Sequence, residues 1–166
     1  MLLYMIQRLV SGSENTVSMR KQDEIIIESE KNLRRISGII KRNGRKILKN
    51  YPITSPQFVA LQWVIDRENL TIGELSKKIG LAFSTTTDLV DRMERNGLVQ
   101  RVRDTDDRRV VRIVALEKGK SIIKEVISKR QQYLGEVLNN LSTEEKETIS
   151  RSLNTLLVEM RKLNEK

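Results

Sequence analysis

Two short stretches of the chain carry side chains whose types and spacing could do chemistry on a partner. In the first, stepping residues roughly 100° apart along a helix puts Ser84, Thr85, Thr87, Asp88, Asp91, Arg92 and Arg95 on one side. Thr86, Leu89, Val90 and Met93 fall on the other, which suits a core. Hydroxyls and the free amides of a helix N-terminus bind phosphate, and a threonine can touch a thymine methyl or a base edge. The same Ser-Thr-Thr-Thr run is also an ordinary helix start, because hydroxyls cap free amides. In the second stretch, Asp104-Thr105-Asp106-Asp107-Arg108-Arg109 places two guanidinium groups beside carboxylates in a short turn. An arginine so placed can enter a narrow minor groove, with a nearby Asp holding its fork. The alternative is a solvated turn whose surface ion pairs are worth about 0–1 kcal/mol.

Composition removes most other chemistry. The 166 residues include no His and no Cys, which excludes disulfides, thiolate metal sites, thiol redox sensing and the commonest general base. No paired acids, glycine-rich phosphate loop or serine nucleophile motif stands out, so no catalytic residue, metal site or cofactor is expected. With 31 Lys+Arg against 22 Asp+Glu the formal charge is +9, an excess that attracts polyanions. Residues 31–51 concentrate it, carrying Lys31, Arg34, Arg35, Lys41, Arg42, Arg45, Lys46 and Lys49 without an acid. The apolar run at residues 1–10 lacks a basic start and a cleavage site and falls short of the roughly 20 residues that span a bilayer. A soluble cytoplasmic protein without a membrane partner is expected.

The elements that must position the two stretches read in order. Ile26, Leu33, Ile36, Ile40 and Ile47 recur at helical spacing over residues 23 to about 50, after a polar linker at 11–18. Tyr51-Pro52 ends that helix, since the residue before proline avoids the α region. Thr54 with Gln57, Thr71 with Glu74 and Ser142 with Glu145 have capping-box spacing and open three further helices. Gly80 ends the second of these; Leu81, Ala82 and Phe83 form a short turn, and the next helix runs from near Ser84 to Gly97. Residues 98–103 and 110–114 then read as a strand pair around the arginine-bearing turn. Residues 117 to about 140 form a long helix burying Ile122, Ile123, Val126, Ile127, Leu134, Val137 and Leu138. In the last helix Ile149, Leu153, Leu156, Met160 and Leu163 repeat as the seam of helix against helix. A small central domain cannot cover all these stripes, which pack either within one chain as a bundle or, in the preferred reading, against a second subunit.

These residues resemble the MarR family of bacterial transcription regulators from about Ile36 to the C-terminus. The likeness is most specific through Leu70-Thr71-Ile72-Gly73-Glu74-Leu75, through the run from Leu89 to Val99, and through Asp107-Arg108-Arg109 with Glu117-Lys118-Gly119. The resemblance implies a homodimer whose N- and C-terminal helices interlock above two winged domains bound to an inverted repeat. It also implies that Arg109 is a minor-groove arginine, with Arg108 beside it and Asp107 as its anchor. Asp88 departs from the basic or neutral residue many members carry there, and could accept from a cytosine amino group. Ala115-Leu116 stands in place of the usual Leu-Thr, so a threonine cap is missing. Many members respond to small phenolic or lipophilic molecules. Tyr51, Phe58 and Trp63 lie near where such a cleft would form, although aromatic residues at helical spacing are more often core.

The expected fold is thus mostly α with a small β wing, a winged helix-turn-helix with interleaved dimerisation helices. Residues 1–18 are expected as a flexible extension, 19–50 as an N-terminal dimerisation helix, 51–116 as the DNA-binding region and 117–166 as C-terminal dimerisation helices. The expected function is a homodimeric, sequence-specific regulator of transcription on double-stranded DNA, in most cases a repressor. The alternative is a helical dimer whose winged domain docks on protein. A weaker third reading makes residues 1–10 an interfacial membrane anchor.

Overall fold

The computed structural model describes the backbone of residues 2–164 and the side chains of residues 21–164. It divides into two compact units, Met1–Lys46 and Ile47–Lys166.

Helix α1, Leu2–Leu48, takes up the whole of the first unit and ends in the second. It starts well before residue 23 and runs through residues 11–18, so the expected linker is helical. That segment holds Gly12 and several hydroxyl residues but no proline, and weak helix formers alone do not break a helix carried from both sides. The side chains of residues 1–10 lie outside those described, and no described helix is long and apolar enough to cross a membrane. From residue 21 onward Ile25, Ile26, Ile27, Ile36, Ile39 and Ile40 of α1 are exposed, Leu33 and Ile47 are half-buried, and Leu48 joins the core.

The second unit holds the winged domain. Tyr51 N–H donates to Leu48 O at 3.0 Å in the turn after α1, and α2 (Ser55–Asp66) follows. Its capping box is complete: Thr54 Oγ1 accepts from Gln57 N–H while Gln57 Oε1 accepts from Thr54 N–H. Helix α2 buries Phe58, Ala60, Leu61 and Val64. Thr71 and Glu74 cap α3 (Ile72–Ile79) in the same way, and Gly80 closes it at φ 67°, a left-handed conformation that side chains resist. Helix α4, Phe83–Arg95, buries Thr86, Leu89, Val90 and Met93, as its periodicity predicts. Gly97 turns the chain at φ 68° into β2, Val99–Arg103, which pairs antiparallel with β3, Val111–Ala115.

One strand escapes sequence reading. Leu70–Thr71 forms β1 on the outer edge of β3, with Leu70 opposite Ile113 and Thr71 opposite Arg112. Two residues leave no alternation to detect, and the partner lies some forty positions downstream.

Helix α5, Glu117–Val137, is anchored in the winged core by its N-terminal half, where Ile122, Ile123 and Val126 are buried. Leu116 caps it without a side-chain bond, consistent with the missing threonine; its N–H instead donates to Leu98 O at 3.0 Å. Leu134 and Val137, expected in the core, are exposed, because the core they would join ends below them. Helix α6, Thr143–Asn164, starts at the Ser142–Glu145 box and buries none of its residues within this chain.

Candidate nucleic-acid interface

The start of α4 is built to leave donors free. Ala82 occupies the cap position in an extended conformation, φ −60° and ψ 150°, and supplies no side-chain oxygen. The first N–H groups of the helix therefore have no cap, and no acid lies in the first turn. The helix begins one residue earlier than expected, so Phe83 belongs to it rather than to the preceding turn. The reason is local: the hydroxyls of the threonine run turn inward. Thr86 Oγ1 donates to Ala82 O at 3.0 Å and Thr87 Oγ1 to Phe83 O at 2.9 Å, stitching the first turn instead of capping it.

Ser84, Thr85, Asp88 and Arg92 are exposed and share the outer side of α4, with Thr87 half-buried among them. Arg92 Nε donates to Asp88 O at 3.3 Å, and Arg95 Nε to Asp91 O at 3.4 Å, so both guanidinium groups fold back along the helix over the turn that precedes them. Asp91 departs from expectation. Together with Glu94 it holds Arg101 of β2: Arg101 Nη2 reaches Asp91 Oδ1 at 2.5 Å and Nη1 reaches Glu94 Oε2 at 2.5 Å. Glu94 Oε1 also accepts the Arg101 backbone N–H at 2.8 Å. These carboxylate bonds raise the already high pKa of the guanidinium against the opposing effect of burial. Asp91 and Glu94 sit three apart on one helical face, a signal visible in sequence, but their partner is fixed only by the strand's return.

The wing turn is ordered by its acids. Asp104 Oδ1 accepts from the N–H groups of Asp106, at 2.8 Å, and Asp107, at 3.2 Å. Its other oxygen meets Arg112 Nε, and Arg112 Nη1 donates to Asn69 O at 2.8 Å. The guanidinium of Arg112, followed by the two backbone donors, lowers the Asp104 pKa to about 2. Asp107 does not grip the arginine fork as expected; its Oδ1 accepts the Arg109 backbone N–H at 2.9 Å. It shapes the turn. The side chains of Arg108 and Arg109 are exposed and make no ion pair among the described residues.

The three aromatic residues all pack in or against the hydrophobic core. Phe58 is only 2% exposed, and the Arg130 guanidinium lies 4.5 Å from its ring centroid. Tyr51 and Trp63 are half-buried against the core, with Lys78 Nζ 5.3 Å from the Trp63 ring centroid. An open cavity of about 540 Å³ lies instead among Pro52, Ile53, Thr54, Gln57, Arg92, Arg95 and Asn96. No group of three or more acidic side chains that could hold a metal occurs among the described residues.

This geometry has close relatives. A family model for the MarR family matches residues 53–111. The chain is 52% identical to the HTH-type transcriptional regulator YsmB of Bacillus subtilis, itself uncharacterized, over 84% of this chain and 95% of that protein. The solved structure of a MarR family protein from Bacillus stearothermophilus is 57% identical, with a TM-score of 0.79 over 84% of this chain and 97% of that one. The chain belongs to the MarR family. This MarR-family chain also superposes on the transcriptional regulator Tm0710 from Thermotoga maritima at 35% identity and a TM-score of 0.70, over 82% and 96% of the two chains. It is 31% identical to the transcriptional repressor MprA of Escherichia coli, over 69% of this chain and 66% of that protein. As a MarR-family member it is a non-enzymatic transcriptional regulator with a winged helix-turn-helix DNA-binding fold.

Proposed function

We propose that this MarR-family chain works in the cytoplasm as a homodimer on an inverted-repeat duplex operator and represses transcription there. Helix α4 lies in the major groove, with Ser84, Thr85 and Thr87 toward phosphates and bases, Asp88 toward a cytosine amino group and Arg92 toward the backbone. The wing of each subunit, Arg108 and Arg109 on the turn shaped by Asp107, enters the adjoining minor groove. The observation that carries this reading is the pairing pattern of the charges: Arg108 and Arg109 are free, whereas Asp91 and Asp104 are spent on Arg101 and Arg112. Asp88, Asp91 and the acids of the wing would have favoured a protein-docking surface; Asp91 and Asp104 are paired, while Asp88, Asp106 and Asp107 are exposed without an ion pair among the described residues. Repression is supported by the likeness to MprA, a transcriptional repressor.

Selection of binding sites from a random duplex pool tests the proposal, followed by titration of the enriched site at two salt concentrations. An inverted repeat is expected, with affinity falling steeply as salt rises because bound phosphates release counterions. No enrichment, with a shallow salt slope and retained binding to a protein, would favour docking on protein instead. Release by a small lipophilic or phenolic molecule belongs to the same proposal, with the half-buried Tyr51 and Trp63, rather than the buried Phe58, as the aromatic residues it meets. Trp63 is the only tryptophan, so binding there is expected to alter intrinsic fluorescence as operator affinity falls. Release without a fluorescence change would move the effector away from Trp63.

A further inference from the structure

We infer that Phe83 is a specificity-determining residue that reads the 5-methyl group of an operator thymine in the major groove. The inference rests on the proposed DNA-reading role of α4 and names a contact within it. The chain has two phenylalanines, and they are treated in opposite ways: Phe58 is core, while Phe83 is 61% exposed at the first position of α4. Recognition helices meet base edges with their N-terminal residues, and Phe83 stands at that end.

Its backbone is held for the purpose. The Phe83 carbonyl accepts the Thr87 hydroxyl at 2.9 Å, and the Thr86 hydroxyl fixes the Ala82 carbonyl one residue before. Both threonines are β-branched and stiff, so the ring leaves a rigid turn on two torsions only. Phe83 and Thr87 lie one helical turn apart on one side, with Ser84 and Asp88 as the adjacent row.

The ring can neither donate nor accept a conventional hydrogen bond, so it selects an apolar group, and the only apolar group on a major-groove base edge is the thymine methyl. The surroundings favour DNA over a protein partner as the occupant. The first turn holds no acid, its N–H groups are uncapped, and Lys77 in the last turn of α3 is exposed nearby in sequence. An exposed ring beside uncapped N–H donors, with Leu81 also 38% exposed two residues before it, suits a methyl group set among phosphates.

The experiment uses the full chain and the operator recovered by site selection. Each thymine of a half-site is replaced singly by deoxyuridine, which removes only the 5-methyl, and binding is measured for the wild type, Phe83→Ala and Phe83→Leu. At one thymine the wild type is expected to lose about fourfold in affinity per substituted half-site, the value of one buried methyl. Phe83→Ala, which removes the ring from both subunits, should show a similar loss per half-site on the unmodified operator and indifference to deoxyuridine at that position, with Phe83→Leu restoring part of the sensitivity. Equal losses for wild type and Phe83→Ala at every deoxyuridine would overturn the proposal while leaving DNA binding by α4 intact. Unchanged operator affinity in Phe83→Ala, with weakened self-association in sedimentation, would overturn it in favour of a contact between protein chains. Failure of all three proteins to bind any duplex would remove the DNA reading itself, a different result from either of these.

Discussion

Asp104 joins the wing turn to the rest of the sheet through one carboxylate, which accepts two backbone N–H groups on one oxygen and meets Arg112 on the other. Its folded pKa, about 2, lies below the ordinary 3.8, so the charged form is the one the fold favours. The order it lends the wing is therefore complete above about pH 4 and lost as pH falls toward 2. NMR titration of the carboxyl carbons should find the Asp104 midpoint near 2, and Asp104→Asn should speed amide exchange in the turn at neutral pH. A midpoint near 4 would mean that the Arg112 contact is not maintained in solution. Gly119 is a second single-residue constraint, of steric origin. A Cβ there would stand 2.4 Å from Leu98 O and 3.2 Å from a Leu61 methyl, where α5 docks on the end of the reader-helix turn. Gly119→Ala is expected to cost about 1–3 kcal/mol, read as a lower urea midpoint at an unchanged slope. An unaltered midpoint would show that α5 can lift from Leu98 freely.

Reader helix and wing are held to each other by Arg101, whose side chain is 24% exposed between Asp91 and Glu94. Neutralising it in Arg101→Met keeps the apolar stem but leaves two carboxylates facing one another. With the partners partly exposed, the expected loss is about 1 kcal/mol of stability. Faster exchange of the residue-101 amide, which Glu94 accepts, should accompany it. Wild-type exchange in the variant would mean that strand pairing alone sets the geometry of β2. The contrast between this clamp and the helix caps shows what sequence could and could not reveal. Thr54 with Gln57, Thr71 with Glu74 and Ser142 with Glu145 are complete statements within four residues, and all three form the bonds their spacing implies. The buried stripe of Thr86, Leu89, Val90 and Met93 is legible for the same reason, since one helix period contains it. Strand β1, the Arg101 clamp and the Arg112 bridge to Asn69 depend on where a distant segment returns, which no local pattern records. Phe83 was obscured differently: its inclusion in α4 depends on threonine hydroxyls turning inward to backbone carbonyls, when the same hydroxyls could equally have served as caps. In the wing, the residue types of Asp107 and Arg109 pointed to a bond between them, but not to backbone rather than guanidinium as the donor.

On the scale of the molecule the unfinished business is apolar surface. Leu153 of α6 is 56% exposed and Leu163 is 74% exposed, at positions whose spacing is that of a helix seam, and α6 buries nothing within the chain. Apolar area left in water along a whole helix face is unfavourable, and a second copy offering the same face relieves it symmetrically. A dimer would also carry two reader helices, and two half-sites can be engaged together only if they travel as one body. Leu153→Glu separates these ideas because the residue is exposed in the single chain: the substitution should leave helix content and the winged core unchanged. If α6 is the seam, the new carboxylate would be buried without a partner, and such unpaired charges cost about 3–5 kcal/mol. Sedimentation at micromolar concentration should then show a dimer for the parent protein and a monomer for the variant, with operator affinity reduced more than tenfold. The loss should be much smaller on a single half-site, where one winged domain suffices. A variant that remains dimeric would place the seam elsewhere, and a monomeric variant that still held the full operator at parental affinity would separate DNA binding from dimerisation altogether.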